Sequence, residues 1–502
     1  MKESLDFIYK TQKELSTFGG IAALLGWDQM TYMPHKGIAK RSEQSSLISR
    51  LIHEKIISDD FWKHIQILSK PNIFDTLPEK DKNVVKRLKK DVEKSRKIPS
   101  EFVEKMSKTT TLAYPAWEKA RGKNDFSIFL PHLEKIIELE KEYCGYRDLP
   151  GPHYNSLLDD YEEGMTVNIL KREFDFLKPR IIEILEKIKS SNIYEKQKNL
   201  NIRLEKNKQR EICDIIFDKM SLPKSRSRLD VSTHPFTTSI GYDDVRLTTN
   251  FERENPLFSF FSTVHEAGHA LYELGMPRDK YKDTVISDSP SLGLHESQSR
   301  FWENMIARSK HFWKYFYPIF QKTSLDKINN LDIETWYRYV NQVQPSLIRV
   351  EADELTYCLH VILRFEIELA LIEEQISVSE LPMIWNSKMD EMLGLSPKND
   401  KEGVLQDMHW SGGSFGYFPT YAIGTIYASQ LFNHMVNGKS SFYSEIENGE
   451  FTNIISWLRE NVYKFGRIMT ADEIIKKCCG KGLKSKVFID YLKEKYLQMY
   501  NL

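Results

Sequence analysis

Apolar residues recur at three- and four-residue spacing along almost the whole chain, with frequent Lys and Glu between them. This spacing places the apolar side chains on one face of a helix, so it predicts a mainly α-helical protein. The pattern predicts helices over residues 4–18, 40–57, 80–95, 99–122, 127–146, 166–190, 200–220, 257–275, 294–322, 345–375, 378–393 and 465–498.

One segment, residues 229–251, departs from the helical spacing. It is rich in β-branched residues and contains the turn-like sequence Gly241-Tyr242-Asp243-Asp244, which is typical of a β-hairpin or a small sheet. Such a sheet either has a structural role or offers an edge along which an extended peptide can lie.

The length of 502 residues is compatible with about three domains, but neither an internal repeat nor a low-complexity linker divides the chain. We therefore expect one large helical domain over residues 1–502. Within it we distinguish an N-terminal helical part, about residues 1–225, from a part with the candidate catalytic residues, about residues 226–502.

The charge and the cysteines limit the partners and the compartment. Lys and Arg together number 71, as do Asp and Glu, and this zero net charge argues against a nucleic-acid partner or a membrane-surface partner. The five cysteines form no CxxC pair, which favours a reducing compartment. Because no apolar signal core or bilayer-length apolar run is present, we expect a cytoplasmic protein, with leaderless export as the alternative.

The candidate chemistry centres on the sequence His265-Glu266-Ala267-Gly268-His269. Residues four apart lie on one face of a helix, so His265 and His269 can bind the same metal ion. Glu266 lies beside the first histidine, where it can hold and activate a metal-bound water. This combination is the minimum needed for zinc-assisted hydrolysis of a peptide bond.

A third protein ligand is required, because catalytic zinc normally has three such ligands and one open position. The best candidate is Glu296 in the sequence His295-Glu296-Ser297-Gln298, which begins an apparent helix. His295 is the alternative ligand. We prefer Glu296, since two histidines and a glutamate on a separate helix recur as a ligand set among peptidases.

Five further short motifs occur along the chain. They are Trp27-Asp28-Gln29 to Met33-Pro34, His234-Pro235-Phe236, Asp244-Val245-Arg246-Leu247-Thr248, Ile348-Arg349-Val350-Glu351-Ala352-Asp353 and Gly403-Val404-Leu405-Gln406-Asp407-Met408-His409-Trp410. Together with the two motifs above, and in this order, they resemble the motifs of the M32 metallocarboxypeptidases, the carboxypeptidase Taq family, over essentially the whole length.

The resemblance implies a saddle-shaped, mainly helical gluzincin fold with a deep groove and a small sheet near the active site. It also implies a homodimer that removes single C-terminal residues from peptides with broad specificity. We expect one divalent ion per subunit, Zn²⁺ or alternatively Co²⁺ or Mn²⁺, held by His265, His269 and Glu296.

A carboxypeptidase must recognise the free carboxylate at the end of its substrate, and a guanidinium can do so with two parallel hydrogen bonds. Arg349 is the predicted anchor, because the resemblance implies this role for the arginine of its motif. Asp353, four residues on, could orient it, unless the two form an ordinary surface pair. Arg246 and His234 are further candidate substrate contacts, although both also suit structural roles in the small sheet.

The glycine- and aromatic-rich residues 411–424 predict a loop that leads into a helix. The candidate donors to the oxyanion of the reaction are His409, Tyr417 and Tyr421, of which we expect at least one to act. Asp407 and Gln406 are candidate hydrogen-bond partners of the metal-bound histidines, and capping of the loop by Asp407 is the alternative.

Two other functions are compatible with these motifs. An oligopeptidase or dipeptidyl carboxypeptidase would use the same metal site and differ in the distance from the metal to the carboxylate anchor. A non-enzymatic peptide-binding scaffold would need only the groove, and the presence of Glu266 argues against it, because binding alone requires no catalytic carboxylate.

Overall fold

The computed structural model describes residues 1–195, 200, 202–324, 328, 331–439 and 441–502. The structure is 71% helical, and the described residues contain one three-stranded sheet. The predicted mainly α-helical class is therefore confirmed. Within the described ranges, no helix has both the length and the apolar character needed to cross a membrane.

The N-terminal part consists of helices that bury one apolar face each. A proline or a capping side chain begins several of them, as Ser58 and Thr166 do by accepting a hydrogen bond from the first turn. The helices are α1 Lys2–Thr31, α2 Ile38–Ile57, α3 Asp59–Leu68, α4 Pro71–Phe74, α5 Glu79–Arg96, α6 Ser100–Lys123, α7 Leu130–Arg147, α8 Tyr154–Tyr161, α9 Val167–Lys189, α10 Asn192–Glu195 and α11 Lys206–Lys219.

The sheet has the order β1-β3-β2, formed by β1 Ser227–Val231, β2 Thr237–Gly241 and β3 Asp244–Thr249. β2 and β3 form the predicted antiparallel hairpin, and β1 pairs with β3 in parallel. β3 alternates in the usual way for a strand: Val245 and Leu247 point into the core, and Arg246 points to the opposite face. Because β3 lies in the middle of the sheet, β2 is an edge strand.

The C-terminal part begins with the helix that carries the candidate metal-binding histidines. Its helices are α12 Pro256–Gly275, α13 Arg278–Tyr281, α14 Leu292–Arg300, α15 Lys310–Ser324, α16 Ile333–Val340, α17 Tyr357–Ile372, α18 Leu381–Leu393, α19 Pro419–Gly438, α20 Ser441–Glu447, α21 Thr452–Asn461, α22 Ala471–Cys479 and α23 Ser485–Leu492. Short 3₁₀ and π-helical segments connect several of them, among which Phe301–Ala307 is a π-helix.

The main hydrophobic core joins both parts of the chain, because it contains buried residues from Ala113 to Tyr500. α12 and α14 lie inside it. A smaller cluster holds the first helices together around Ile8, Phe61 and Leu88, and Tyr281 from the catalytic part packs into it. The candidate catalytic helices are therefore supported on several sides by packed side chains, which keeps their relative positions well defined.

Several predicted helix boundaries are wrong. The predicted helix 345–375 begins only at Tyr357, because residues 345–356 form a loop with one 3₁₀ turn at Arg349–Glu351. The predicted helix 465–498 is interrupted, and 294–322 divides into α14, the π-helix and α15. In the predicted helix 200–220, the helix begins at Lys206, and residue 201 lies outside the described residues. Apolar spacing alone does not reveal such breaks, since it continues across them.

Candidate active site and metal centre

Helix α12 presents the predicted HExxH residues, as expected from their spacing. His265 and His269 are half-buried on one face, and Glu266 is buried beside them. Gly268 allows α14 to approach closely, because a Cβ atom there would lie 2.6 Å from the carbonyl oxygen of Gln298. This close contact brings the second candidate ligand helix against the first.

The structure brings His265, His269 and Glu296 together, with one ligand atom of each within 4.8 Å of the others. Oε2 of Glu296 lies 3.6 Å from Nε2 of His265 and 3.4 Å from Nε2 of His269. Gly424 of α19 permits this position of Glu296, since a Cβ atom at Gly424 would lie 2.7 Å from Cγ of Glu296.

These donors fit a divalent transition metal. Ligand atoms about 2.0–2.1 Å from a tetrahedral zinc ion lie roughly 3.3 Å from each other. The two Glu296–histidine distances, 3.4 and 3.6 Å, are close to this value. Two imidazole nitrogens and a carboxylate oxygen are also the donor types of catalytic zinc sites.

His295, the alternative third ligand, does not direct a ring nitrogen towards the other candidate ligands. Its Nε2 is 3.0 Å from Oε1 of Glu273, and its ring stacks on His269 at a centroid distance of 4.4 Å. Glu273 also accepts a hydrogen bond from Arg278. His295 therefore packs against the candidate ligand His269, and its Nε2 faces the carboxylate of Glu273.

The carboxylate beside the histidines is Glu303, which the sequence reasoning missed. Oε2 of Glu303 lies 2.9 Å from Nδ1 of His265. The prediction that Asp407 or Gln406 would occupy this position is wrong, because both side chains bond instead to arginines and backbone groups. Glu303 belongs to the π-helix Phe301–Ala307, whose register simple helical spacing does not predict.

Asp407, in contrast, orients the predicted carboxylate anchor. Nε and Nη2 of Arg349 donate to Oδ1 of Asp407 at 3.1 and 2.9 Å, and Arg364 donates to Oδ2. Burial opposes ionisation of Asp407, but the two arginines outweigh it and hold its pKa well below the usual range. The buried Arg349 is thus held by a charged, two-point contact.

The predicted contact between Asp353 and Arg349 is wrong. Asp353 accepts hydrogen bonds from the backbone N–H groups of Gln344 and Thr356, so it organises the loop before α17. The prediction assumed one continuous helix through both residues. The chain instead leaves the helical path there, and helical four-residue proximity does not apply.

The three candidate oxyanion donors lie together. The His409 ring stacks on Tyr417 at a centroid distance of 5.3 Å, and the Tyr421 hydroxyl donates to the Tyr417 hydroxyl at 3.1 Å. The Tyr421 ring is also 5.3 Å from the guanidinium carbon of Arg349. Burial lowers the pKa of His409 to about 4, so its imidazole is neutral at pH 7.

The loop that carries these residues is held by Glu368 of α17. Glu368 accepts hydrogen bonds from Nε1 of Trp410 at 2.7 Å and from the backbone N–H of Gly416 at 2.9 Å. Gly416 has a φ of +83°, which disfavours other residues, and a Cβ atom would lie 2.7 Å from the backbone of Leu157. The predicted loop leading into a helix is confirmed, and α19 begins at Pro419.

The two remaining candidates lie in the sheet region. Arg246 donates to Asp244 through Nε and Nη2, at 2.8 and 2.7 Å, and its guanidinium carbon lies 4.3 Å from the Trp27 ring centroid. The His234 side chain is exposed. Thr237, which the sequence reasoning missed, is closer to the chemistry, because its hydroxyl donates to Oε2 of Glu266 at 2.7 Å.

Comparisons with known proteins place nearly the whole chain in one family. The family model for carboxypeptidase Taq (M32) metallopeptidase matches residues 7–496. The chain is 39% identical to thermostable carboxypeptidase 1 of Pyrococcus furiosus over 99% of both chains. It is also 39% identical to carboxypeptidase 1 of Bacillus subtilis, over 100% of this chain and 99% of the relative.

A solved structure gives the same result for the fold. The M32 carboxypeptidase from Deinococcus radiodurans superposes with a TM-score of 0.95 and 33% sequence identity, and the match covers 100% of both chains. The chain therefore belongs to the carboxypeptidase Taq (M32) family of metallopeptidases, and it is a metal-dependent carboxypeptidase that hydrolyses peptides.

Proposed function

We propose that this protein releases single C-terminal amino acids, with broad specificity, from peptides with a free carboxylate, and that His265, His269 and Glu296 hold the catalytic ion. The observation that carries the proposal is the cluster of these three ligand atoms within 4.8 Å. We propose Zn²⁺ as the ion because of the two imidazoles and the carboxylate, although Co²⁺ and Mn²⁺ accept the same donors.

A divalent ion at this position would polarise the scissile carbonyl group and lower the pKa of a bound water molecule. Glu266 is placed to act as the general base that takes a proton from the attacking water. Thr237 occupies Oε2 of Glu266 with a hydrogen bond, which orients the carboxylate and leaves Oε1 to receive the proton. Burial raises the pKa of Glu266. After taking the proton from the water, Glu266 delivers it to the leaving amine.

Arg349 binds the C-terminal carboxylate of the substrate. Its Nε and one N–H of Nη2 are engaged by Asp407, and Nη1 donates to the Tyr357 hydroxyl at 3.3 Å. These contacts use one N–H of each terminal nitrogen, so the second N–H of each can donate to the substrate. These two groups match the two oxygens of a carboxylate, which favours peptides with free C-termini.

Tyr417 is the best placed of the three candidate oxyanion donors. Its hydroxyl oxygen accepts a hydrogen bond from Tyr421, so its own O–H is free to donate a hydrogen bond to the oxyanion. The neutral His409 packs on its ring and restricts its orientation. We propose that Tyr421 and His409 support this donor. A direct substrate role of His234 and Arg246 stays a prediction.

We also propose that residues 1–502 form one domain, with the N-terminal and catalytic parts divided near residue 225. The core that extends from Ala113 to Tyr500 supports this view. The family resemblance supports a homodimer. The absence of disulfides among the five cysteines supports a cytoplasmic location, and the zero net charge argues against a nucleic-acid partner.

The experiment is mass spectrometry of the products from paired peptides of identical sequence, one with a free and one with an amidated C-terminus. The wild type is compared with Glu266→Gln, with the exposed-site control Glu211→Gln, and with chelator-treated enzyme. We expect stepwise loss of single residues from free C-termini only, abolished by the chelator and by Glu266→Gln but retained by the control.

Release of dipeptides, or cleavage of amidated peptides, would contradict the single-residue mechanism and the anchor role of Arg349. It would support the oligopeptidase or dipeptidyl carboxypeptidase alternative instead. Absence of cleavage by metal-loaded wild type would contradict the enzymatic proposal and support a binding scaffold.

A further inference from the structure

Arg300, the last residue of α14, contacts two carboxylates of the candidate metal site, Glu296 and Glu303. Its Nε donates to Oε1 of Glu296 at 2.7 Å, and its Nη1 lies 3.5 Å from Oε2 of Glu303. Glu296 is a proposed ligand, and Glu303 holds the ring of His265. A single guanidinium therefore contacts one ligand directly and a second ligand through its partner.

The hydrogen bond from Arg300 gives the two carboxylate oxygens of Glu296 different surroundings. Oε1 is occupied by Arg300, and Oε2 is the atom that lies 3.4–3.6 Å from the two histidine Nε2 atoms. Rotation of the carboxylate would break the hydrogen bond to the guanidinium. The Ser299 hydroxyl lies 3.1 Å from Oε2. Arg300 thus holds Oε1 away from the metal position, which favours binding through Oε2 alone.

Arg300 also lies next to the carboxylate anchor. Its guanidinium carbon is 4.5 Å from the centroid of the Tyr357 ring, a distance typical of a cation–π contact. The hydroxyl of the same tyrosine accepts a hydrogen bond from Arg349 at 3.3 Å. Tyr357 therefore lies between the arginine behind the ligands and the arginine proposed to bind substrate.

We propose that Arg300 is a positioning residue of the metal centre, which orients Glu296 directly and His265 through Glu303, and that Tyr357 connects it to the carboxylate anchor Arg349. The inference rests on the proposed ligand set. It adds a residue that touches neither metal nor substrate but sets the geometry of the groups that do.

An ordinary helical pair does not account for these contacts. Glu296 and Arg300 are four residues apart, and exposed pairs of this kind contribute little. The exposed fractions of these side chains are only 15% for Arg300 and 9% for Glu296. A buried guanidinium is costly to desolvate, and here it is compensated by two carboxylates and an aromatic face. Such a precise arrangement favours a positioning role.

Charge and positioning predict opposite effects on metal binding. A positive group close to a divalent cation repels it, so removal of Arg300 for electrostatic reasons alone would strengthen metal binding. Loss of positioning would weaken it, because Glu296 and His265 would have to be ordered when the metal binds. The sign of the change in affinity therefore distinguishes the two roles.

The experiment measures the Zn²⁺ dissociation constant of the full-length protein by competition with a chromophoric chelator. The variants are Arg300→Gln and Arg300→Lys, with Glu296→Ala as the ligand control. Tyr357→Phe removes only the hydroxyl that faces Arg349, and Arg210→Gln removes a half-exposed surface arginine of α11. The thermal midpoint of each metal-free variant reports whether the fold is retained.

We expect Arg300→Gln to weaken Zn²⁺ binding by about 10- to 100-fold, the usual effect of losing an outer partner of a metal ligand. Arg300→Lys should bind more weakly than wild type too, because one ammonium group cannot reproduce the guanidinium fork. Tyr357→Phe and Arg210→Gln should bind Zn²⁺ within about twofold of wild type. Metal affinity would then depend on Arg300 and not on the Tyr357 hydroxyl that contacts Arg349.

Unchanged or tighter Zn²⁺ binding by Arg300→Gln would overturn the role of Arg300, while the loss of binding by Glu296→Ala would leave the ligand set intact. If Arg300→Gln does not fold, the Zn²⁺ affinity of Arg300→Lys tests the proposal instead. A Zn²⁺ affinity equal to that of wild type in Arg300→Lys would overturn it. Wild-type affinity in Glu296→Ala would overturn the ligand set itself, and the role of Arg300 with it.

Discussion

Oε2 of Glu303 lies 2.9 Å from Nδ1 of His265, on the side of the imidazole opposite the other proposed ligands. A carboxylate at this position fixes the tautomer and the orientation of a metal-binding histidine and makes it a stronger donor. Two arginines, Arg300 and Arg308, contact Glu303 in turn. Burial disfavours ionisation of Glu303, but His265 and the arginines hold its pKa well below the usual range.

Glu303→Ala is expected to weaken Zn²⁺ binding by about 10- to 100-fold, because the His265 ring loses its orienting carboxylate. Isothermal titration of the metal-free protein measures the change. Glu211→Ala on the exposed face of α11 serves as the control and should bind as wild type does. Equal affinities of Glu303→Ala and the wild type would show that Glu303 does not orient the ligand.

Asp407→Asn should raise the KM for peptides with a free carboxylate, because Arg349 loses its charged partner and its fixed orientation. The protein should also be less stable by about 3–5 kcal/mol, since two buried arginines lose a carboxylate. Steady-state kinetics and thermal unfolding measure both effects. Asp353→Asn is the matched control and should leave the KM unchanged, because Asp353 accepts hydrogen bonds from the loop residues Gln344 and Thr356 and not from Arg349.

Gly268→Ala should destabilise the protein by about 1–3 kcal/mol and weaken metal binding, because the added Cβ would collide with the backbone of Gln298 and separate α12 from α14. Gly26→Ala in α1 has no atom within 4 Å of the added Cβ, and it should stabilise the protein by about 0.5–1 kcal/mol. Thermal unfolding distinguishes them. Equal shifts in the two variants would contradict the close helix contact.

Tyr417→Phe should lower kcat by about 100-fold or more and leave the KM little changed, because it removes a donor that acts only on the developing oxyanion. Tyr421→Phe should have a smaller effect, since Tyr421 donates to Tyr417 and not to the reacting atoms. Kinetics with one free-carboxylate peptide measure both. A larger loss in Tyr421→Phe would reverse the assignment of the two tyrosines.

The buried Glu368 should make stability depend on pH. Burial raises its pKa from 4.5 to about 7, so between these values the unfolded chain releases a proton that the folded protein keeps. The contribution of protonated Glu368 to the free energy of unfolding is therefore complete below pH 4.5, and it is lost as the pH rises through about 7. As the pH rises over this range, the thermal midpoint of the wild type should fall relative to that of Glu368→Gln, whose side chain does not titrate. A constant difference between the two proteins from pH 5 to 8 would contradict the raised pKa.

The sequence by itself determined the features that depend on local spacing. Four-residue separation on a helix places His265 and His269 on one face whatever surrounds them. The β-branched run and its turn likewise predicted the hairpin of β2 and β3, because pleated backbone and turn chemistry are properties of short segments. The motif order was sufficient to indicate the family, and the geometry agrees with Glu296 as the third member of the cluster.

Only the tertiary structure decided which residues support these groups. Glu303 reaches His265 through a π-helical turn, and Asp407 reaches Arg349 from a loop 58 residues away in sequence. The prediction chose Asp353 for Arg349 because it assumed an unbroken helix. Apolar periodicity reports which face of a segment is buried, whereas the partner of a buried charge depends on which segments pack together and on where each helix ends.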